Sequence, residues 1–302
     1  MSARVAVVVR TKDRPDFLER AVRSICGQTM SDWECVVVND GGAPEPVEEV
    51  LSRAPRKHRD RFRIVHHERP RGRWVSANVG VLATTAPFLV LHDDDDSWHG
   101  SFLERACAYL DDPAHADRGG AVSRIEIVWE VPDDESGLYR AVGRELWQPD
   151  LTAPTLADEL LYNRFVPIGF VYRRSLHEEH GLYDERLPVV GDWNFYLKVL
   201  QAGPLEYLGD TPYAYWHQRP GQQGAAGNSV IAGDDQHRRT DAMLRDEALR
   251  AHIDEHGIGL ALYLTKFVDE RVRATEDRLR EEIERASFAQ RVYRRARRIL
   301  DR

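Results

Sequence analysis

The stretch with the densest chemical groups is residues 88–98, which reads FLVLHDDDDSW. Its apolar start is typical of a strand buried in a parallel sheet, and ligands of such sheets bind beyond the carboxyl ends of the strands. Four crowded carboxylates repel one another, and a divalent cation such as Mg²⁺ or Mn²⁺, which prefers oxygen ligands, offsets that repulsion. The alternative is a solvated acidic turn. The buried strand that leads into the aspartates favours the cation site.

Two earlier apolar runs also end in polar residues. Residues 5–9 lead to Thr11 and Asp13, and residues 33–38 lead to Asp40. The amphipathic helical pattern between the runs gives a strand–helix alternation, which predicts a parallel sheet with right-handed crossovers. The three polar strand ends are therefore predicted to converge at one edge of a single sheet.

Beyond residue 120 the pattern becomes β-rich and then mixed. A helix is predicted to open at Gly191, with Asp192 as its N-cap, and two short strands are predicted over residues 205–208 and 213–216. Residues 220–233 are rich in Gly, Gln and Ala without periodicity, which predicts a mobile loop beside the cleft.

The end of the chain is predicted to be helical, over residues 234–256 and 260–300, with a break near Ser287. Residues 285–302 contain seven arginines and one aspartate, a net charge of +6. A basic amphipathic helix of this kind can lie on anionic lipid headgroups. An ordinary terminal helix or a contact between subunits explains it equally well.

Composition narrows the class of protein. A formal charge of −8 argues against nucleic acid as a partner, and 42% hydrophobic content supports one large core with an appendage. Three scattered cysteines indicate core thiols in a reducing compartment. The sequence has neither a signal-peptide pattern nor a run of transmembrane length, so we expect a cytoplasmic protein.

Four motifs in order resemble the inverting family 2 glycosyltransferases of the GT-A fold: VVVRTKDRP, ECVVVNDGG, NVGVLATTAPFLVLHDDDDSW and GLYDERLPVVGDWNFYLKV. The resemblance covers residues 3–229. It implies an α/β fold with a mostly parallel sheet flanked by helices. The implied GT-A domain spans residues 1–230, with a nucleotide-binding half to about 120 and an acceptor-binding half over 121–230. Residues 231–302 would form a helical extension.

The resemblance also implies an activity, which is transfer of a sugar from a nucleotide-diphosphate donor to an acceptor hydroxyl with inversion. UDP is the expected nucleotide, Mn²⁺ or Mg²⁺ the expected cofactor, and a glycan or lipid-linked molecule the expected acceptor, in bacterial polysaccharide or glycoconjugate synthesis. Apart from the resemblance, the basic amphipathic pattern at the end of the chain is consistent with contact with a membrane or another subunit, or with an ordinary terminal helix.

Site residues follow from the motifs that match. Asp192 is the implied general base. The implied nucleotide-binding residues are Thr11, Asp13, Asp40, Asn78 and Asp94. Arg73, or Arg71, is predicted to reach the diphosphate in place of an Arg that the family often has. The implied metal ligand is Asp95, with Asp93, Asp96 and His217 as further candidates. The predicted acceptor-binding residues are Gly191, which stands at the family's acceptor-contacting Glu position, and Trp98 and Trp193, which are candidates for stacking on sugar rings.

The sequence departs from the family at two positions. Gly191 stands where the family has a Glu before the catalytic Asp, and Ala77 stands where it often has an Arg. Two alternatives stay open. A sugar nucleotidyltransferase would carry a Gly-rich phosphate loop after the first strand, which RTKDRP lacks. A non-catalytic module that binds sugar nucleotides or glycans is supported only by the missing Glu.

Overall fold

The computed structural model describes residues 3–133, 135, 137–222 and 234–300, with only the backbone described from residue 286 onward. The chain divides between Asp241 and Ala242 into two units. The boundary predicted at residue 230 and most of the predicted loop over 220–233 lie outside the described residues.

The first unit is built on one mixed sheet. Its described strands are β1 Val5–Thr11, β2 Trp33–Asn39, β3 Phe62–His66, β4 Phe88–Asp93, β5 Ser97–Trp98, β6 Gly120–Asp133, β7 Leu138–Leu146, β8 Phe170–Arg173 and β9 Glu206–Gln218. In space the order is β3-β2-β1-β4-β8-β6-β9-β5, and β7 pairs with β6.

The described helices are α1 Pro15–Cys26, α2 Pro44–Ser52, α3 Arg56–Arg59, α4 Arg73–Leu82, α5 Phe102–Asp111, α6 Leu156–Glu159, α7 Ser175–His180, α8 Gly191–Ala202, α9 Asp234–His256 and α10 Gly259–Leu300. Buried apolar faces, such as Leu18, Val22 and Ile25 of α1, pack helices of the first unit onto its sheet. Helix α10 is continuous through residue 300, so the predicted break near Ser287 is wrong.

The parallel half of the sheet brings the polar strand ends together, as predicted. Strands β1, β2 and β4 are almost wholly buried because apolar side chains, most of them Val and Leu, fill both faces. Their register sets Thr11 beside Asn39 and Arg10 beside Asp93, at the carboxyl ends of all three strands.

The second half of the sheet is more irregular than predicted. Strand β8 runs antiparallel to both β4 and β6, whereas β6 runs parallel to β9. Strand β9 is continuous where two strands were predicted, and its pairing with β6 shifts register between Val122 and Ile125. The predicted α/β class with a C-terminal helical extension is confirmed.

None of the helices in the described part of the chain combines the length and apolar character needed to cross a membrane.

Candidate active site

The four aspartates form a tight turn after β4. Asp93 is the last residue of the strand, and its carbonyl accepts a hydrogen bond from the backbone N–H of Asp96 at 3.2 Å. Asp94, Asp95 and Asp96 are 3%, 7% and 1% exposed, so the acidic turn is buried. A solvated acidic turn, the alternative reading of this stretch, is therefore wrong.

Arginines from other segments neutralise these aspartates. Arg10 pairs with Asp93. Arg14 lies 3.0 Å from Asp94 and 2.7 Å from Asp95. The repulsion that we expected a cation to offset is thus offset in the structure by guanidinium groups.

The pKa values of the two middle aspartates move in opposite directions. Burial raises the pKa of Asp94 to about 7, against the attraction of Arg14. Burial acts in the same direction on Asp95, but Arg14 and Arg219 outweigh it and lower its pKa. Arg219, which is wholly buried, pairs directly with Asp95. Of these two aspartates, Asp95 is therefore the one that holds its negative charge more firmly.

Glu130, on β6, is linked to the acidic turn through Arg219, which contacts both Glu130 and Asp95. It accepts hydrogen bonds from Arg20 at 3.1 Å and Arg219 at 3.1 Å, and it lies 2.9 Å from Nδ1 of His217. Although burial opposes ionisation, the contacts with His217 and Arg20 hold the pKa of Glu130 down at about 2. No local motif marks Glu130, and the sequence analysis missed it.

His217 is occupied on both ring nitrogens. Nδ1 faces Glu130, and Nε2 lies 2.8 Å from Oγ of Ser97. Its backbone N–H donates to Oδ1 of Asp96 at 2.9 Å. The prediction that His217 and Asp96 are metal ligands is therefore not supported, because both hold the end of β9 against the acidic turn.

Asp40 anchors the loop that leads into α4. Its carboxylate accepts the backbone N–H groups of Arg71 at 2.8 Å and Gly72 at 3.0 Å, and it lies 2.9 Å from Nδ1 of His67. These hydrogen bonds lower the pKa of Asp40 although burial opposes them. The contact fixes the position at which Arg73 begins α4.

The other predicted nucleotide residues divide into two groups. Thr11 donates its hydroxyl to Asp94 at 2.8 Å, and exposed Asp13 has a φ of 53° beside the second strand's end. Asn78 has a structural contact instead. Its side-chain amide donates to the carbonyl of Tyr183 at 2.9 Å and accepts from the N–H of the same residue at 3.0 Å. The amide of Asn78 is thus used to join α4 to the segment before α8, which argues against the predicted contact with nucleotide.

Arg73 lies within electrostatic range of both the acidic turn and the predicted base. It is the first residue of α4 and is exposed. Its guanidinium interacts electrostatically with Asp93, Asp95 and Asp192. These charges belong to one cluster, although they come from three separate segments of the chain.

Asp192 lies in the first turn of α8 but is not its N-cap. The N-cap is Val190, with a φ of 54°, so the predicted cap is wrong by two residues. Nδ2 of Asn163 donates to Oδ2 of Asp192 at 3.1 Å. Burial raises the pKa of Asp192, while the Trp193 N–H and the cations Arg73 and Arg10 act against the rise.

Gly191 is explained by Trp74. A Cβ atom at position 191 would lie 2.5 Å from Cε2 of the Trp74 indole, which is closer than real Cβ contacts. The space of the family's Glu side chain is thus taken by an aromatic ring from α4.

The two predicted acceptor tryptophans are core residues. Trp98 is 6% exposed and donates its indole N–H to Ile168 O at 2.7 Å. Trp193 is 3% exposed and donates to Glu159 O at 2.7 Å. Neither ring offers a face to an acceptor, so these two predictions are wrong.

The sequence pattern of the glycosyl transferase family 2 domain matches residues 6–181, which is more than half of the chain. The chain belongs to glycosyl transferase family 2. A similar curated relative is the uncharacterized glycosyltransferase YwdF of Bacillus subtilis, 28% identical over 65% of this chain and 68% of the relative.

Solved structures of similar fold include two with bound sugar nucleotides. The S. aureus TarS fragment 1–349 in complex with UDP-GlcNAc is 20% identical, with a TM-score of 0.57 over 76% of this chain and 62% of that one. The mannosyltransferase PcManGT of Pyrobaculum calidifontis, in complex with GDP-Man and Mn²⁺, is 17% identical, with a TM-score of 0.56 over 83% and 65%. This chain therefore spans less than two thirds of either structure, and at these identities the likeness shows the GT-A fold.

The carboxylates at the acidic turn fit a divalent cation only if a bound diphosphate supplies further oxygen ligands. Within the described residues, no three His, Cys, Asp or Glu side chains are grouped so as to hold a metal ion. A cation at a diphosphate does not need such a cage, because Mg²⁺ usually takes one or two carboxylates together with substrate phosphates. Asp95 and Asp93, whose side chain is 37% exposed, offer that donor set.

Proposed function

We propose that the protein is a metal-dependent, inverting glycosyltransferase that moves a sugar from a nucleotide-diphosphate donor, with UDP as the expected nucleotide, to an acceptor hydroxyl. The observation that carries the proposal is the position of Asp192, which lies near enough to Arg73 and to Asp93 for their charges to act on its carboxylate, so that α8 brings a carboxylate to the neighbourhood of the acidic turn. The sugar nucleotides named with the two solved neighbours support the donor class.

The charge on the leaving diphosphate needs positive partners. Arg73 is exposed at the first turn of α4, where the positive end of the helix dipole also favours anions. A cation held by Asp95 with Asp93 would act as a Lewis acid on the phosphates. Arg10 and Arg14 keep these two carboxylates in place before the donor binds.

The acceptor hydroxyl needs a base on the face of the sugar opposite the diphosphate. Asp192 is suited to this role because its raised pKa gives a stronger base than an ordinary carboxylate. The Asn163 amide orients the carboxylate by donating to one of its oxygens. Attack from the face opposite the leaving group inverts the anomeric carbon.

The proposal also includes the nucleotide-binding residues, the domain bounds and the location of the protein in the cell. Thr11, Asp13 and Asp40 surround the nucleobase and Asp94 lies toward the ribose, within a domain over 1–230 that is followed by the extension over 231–302. We place the protein in the bacterial cytoplasm, in polysaccharide or glycoconjugate synthesis. The basic end of α10 is proposed to contact the inner face of the membrane or another subunit.

Donor turnover tests the function directly. The protein is incubated with UDP- and GDP-sugars and Mn²⁺, with and without an acceptor panel, and NMR identifies the anomer formed first. The proposal predicts metal-dependent release of the nucleotide and a product of inverted configuration. A product of retained configuration would contradict the mechanism.

A non-catalytic sugar-nucleotide binder is the second candidate, because Gly191 replaces the family's Glu and Trp74 fills its space. Such a binder would be stabilised against heat by UDP and Mn²⁺ but would release no nucleotide from any donor.

A further inference from the structure

Three consecutive apolar side chains are exposed just after α6. Leu160, Leu161 and Tyr162 are 49%, 63% and 57% exposed. Water contact with this much adjoining apolar surface is unfavourable, and such patches often mark binding sites. We call residues 160–162 the apolar strip.

Both ends of the apolar strip are fixed to the start of α8. Before the strip, the carbonyl of Glu159 accepts the indole N–H of Trp193 at 2.7 Å. After the strip, the amide of Asn163 donates to Asp192 at 3.1 Å. Because consecutive Cα atoms lie about 3.8 Å apart, the Cα of Tyr162 is within roughly 11 Å of the Asp192 carboxylate.

The residues that flank the apolar strip are held by hydrogen bonds that involve buried groups. The Asn163 side-chain oxygen accepts the N–H of Phe165 at 3.4 Å, and Phe165 is fully buried. The wholly buried carboxyl of Glu159 accepts the N–H of Arg164 at 2.9 Å. The strip is thus held in place beside the proposed base.

A positive charge lies at the same place. The guanidinium of Arg164 sits 3.5 Å from the centre of the Tyr162 ring. The surface therefore combines alkyl groups, an aromatic ring and a cation. A purely sugar acceptor would call for hydrogen-bonding groups, which leucine side chains lack, whereas a lipid phosphate carries both an alkyl chain and a negative charge.

We propose that the apolar strip binds the alkyl chain of a lipid-linked acceptor, with Arg164 facing its phosphate and the acceptor sugar extending to Asp192. The assignment rests on the proposed transfer activity, because Asp192 defines where the reacting hydroxyl must lie. It selects the lipid-linked class over a free glycan.

The test compares n-octyl, phenyl and methyl glycosides of the same sugar, each below its critical micelle concentration. The perturbing variant is Leu161→Ser with Tyr162→Ser, and the matched control is Leu82→Ser, since Leu82 is 69% exposed at the far end of α4. Substitutions at exposed positions leave the core intact. Transfer rates are measured with the best donor, and binding is measured by calorimetry in the presence of UDP and Mn²⁺.

We expect wild type and the control to prefer the octyl over the methyl glycoside by about tenfold or more, since each buried methylene is worth about fourfold. The double variant should lose most of that preference while its affinity for UDP stays unchanged. Equal binding of octyl and methyl glycosides, or a preference that survives in the double variant, would overturn the proposal. Stronger binding of the phenyl glycoside than of the octyl glycoside would also overturn it, in favour of an aromatic acceptor.

The binding measurement separates this inference from the proposed function. Selective octyl binding that the double variant loses supports the lipid site even where no sugar is transferred. Transfer to all three glycosides at one rate, with equal binding, supports the transferase and refutes the lipid site.

Discussion

Replacing Glu130 by Gln removes the charge on which three donors converge. Arg20, Arg219 and His217 all meet this carboxylate, which is 4% exposed. The substitution keeps the shape of the side chain. It leaves two guanidinium groups in a buried site with one negative partner fewer.

The pKa of Glu130 sets the expected magnitude. A value of about 2 against the usual 4.5 corresponds to about 3 kcal/mol of folding stability at neutral pH, because each unit of difference is worth about 1.4 kcal/mol. Breaking a buried ion pair by removing one partner costs a similar amount, about 3 to 5 kcal/mol. We therefore expect Glu130→Gln to lower the free energy of unfolding by about 3 kcal/mol.

Urea unfolding at pH 7 measures this loss. The matched control is Glu126→Gln on the same strand, whose pair with the exposed Arg144 should contribute no more than about 1 kcal/mol. Because the pKa of Glu130 is depressed on folding, its contribution is present above pH 4.5 and is lost as the pH falls toward 2. The difference between wild type and variant should shrink over that range. Equal losses for the two variants, or a difference independent of pH, would refute the reasoning.

Three further predictions concern the cleft. Arg73→Gln should shift the acidic limb of the kcat/KM profile to higher pH, because Arg73 lowers the pKa of Asp192; an unchanged limb contradicts this. Gly191→Ala should lower the melting temperature by several degrees, because the new methyl group meets the Trp74 ring, and a Trp74→Leu background should reduce that loss; an equal loss in both backgrounds argues against the clash. Asp95→Ala should remove the Mn²⁺-dependent part of UDP binding, measured by calorimetry with and without EDTA, and retention of that part would reject Asp95 as the ligand.

The parallel half of the fold could be predicted because its signals are local. Short apolar runs such as residues 5–9, alternating with amphipathic helical segments, are typical of buried parallel strands. Parallel strands bring their carboxyl ends to one edge of the sheet. Thr11 and Asp94 therefore lie 2.8 Å apart, side chain to side chain, although 83 residues separate them.

The partners of the acidic turn could not be predicted in the same way. Arg219 pairs with Asp95, and Glu130 is linked to the turn through Arg219; both lie more than 30 residues from Asp95, and no spacing rule connects these positions. The solvent exposure of aromatic rings also could not be predicted from the sequence. Trp98 and Trp193 were predicted to stack on the acceptor sugar, but their indole N–H groups donate hydrogen bonds to backbone carbonyls inside the core.

The proposed base could be found from motif order but its surroundings could not. Asn163 orients Asp192 from 29 residues upstream, and Trp74 fills the space beside Gly191 from another helix. Both contacts depend on tertiary packing rather than on local pattern.

Asp192→Asn is the most direct test of the proposed mechanism, since it keeps the side chain's shape and removes its ability to take a proton. Calorimetry with UDP and Mn²⁺ and initial rates of sugar transfer are measured on the same preparation. We predict unchanged UDP affinity and a loss of turnover of about 10² to 10⁴-fold, the range typical of a lost general base. Transfer at the wild-type rate with unchanged binding would contradict the assignment of Asp192 as the catalytic base.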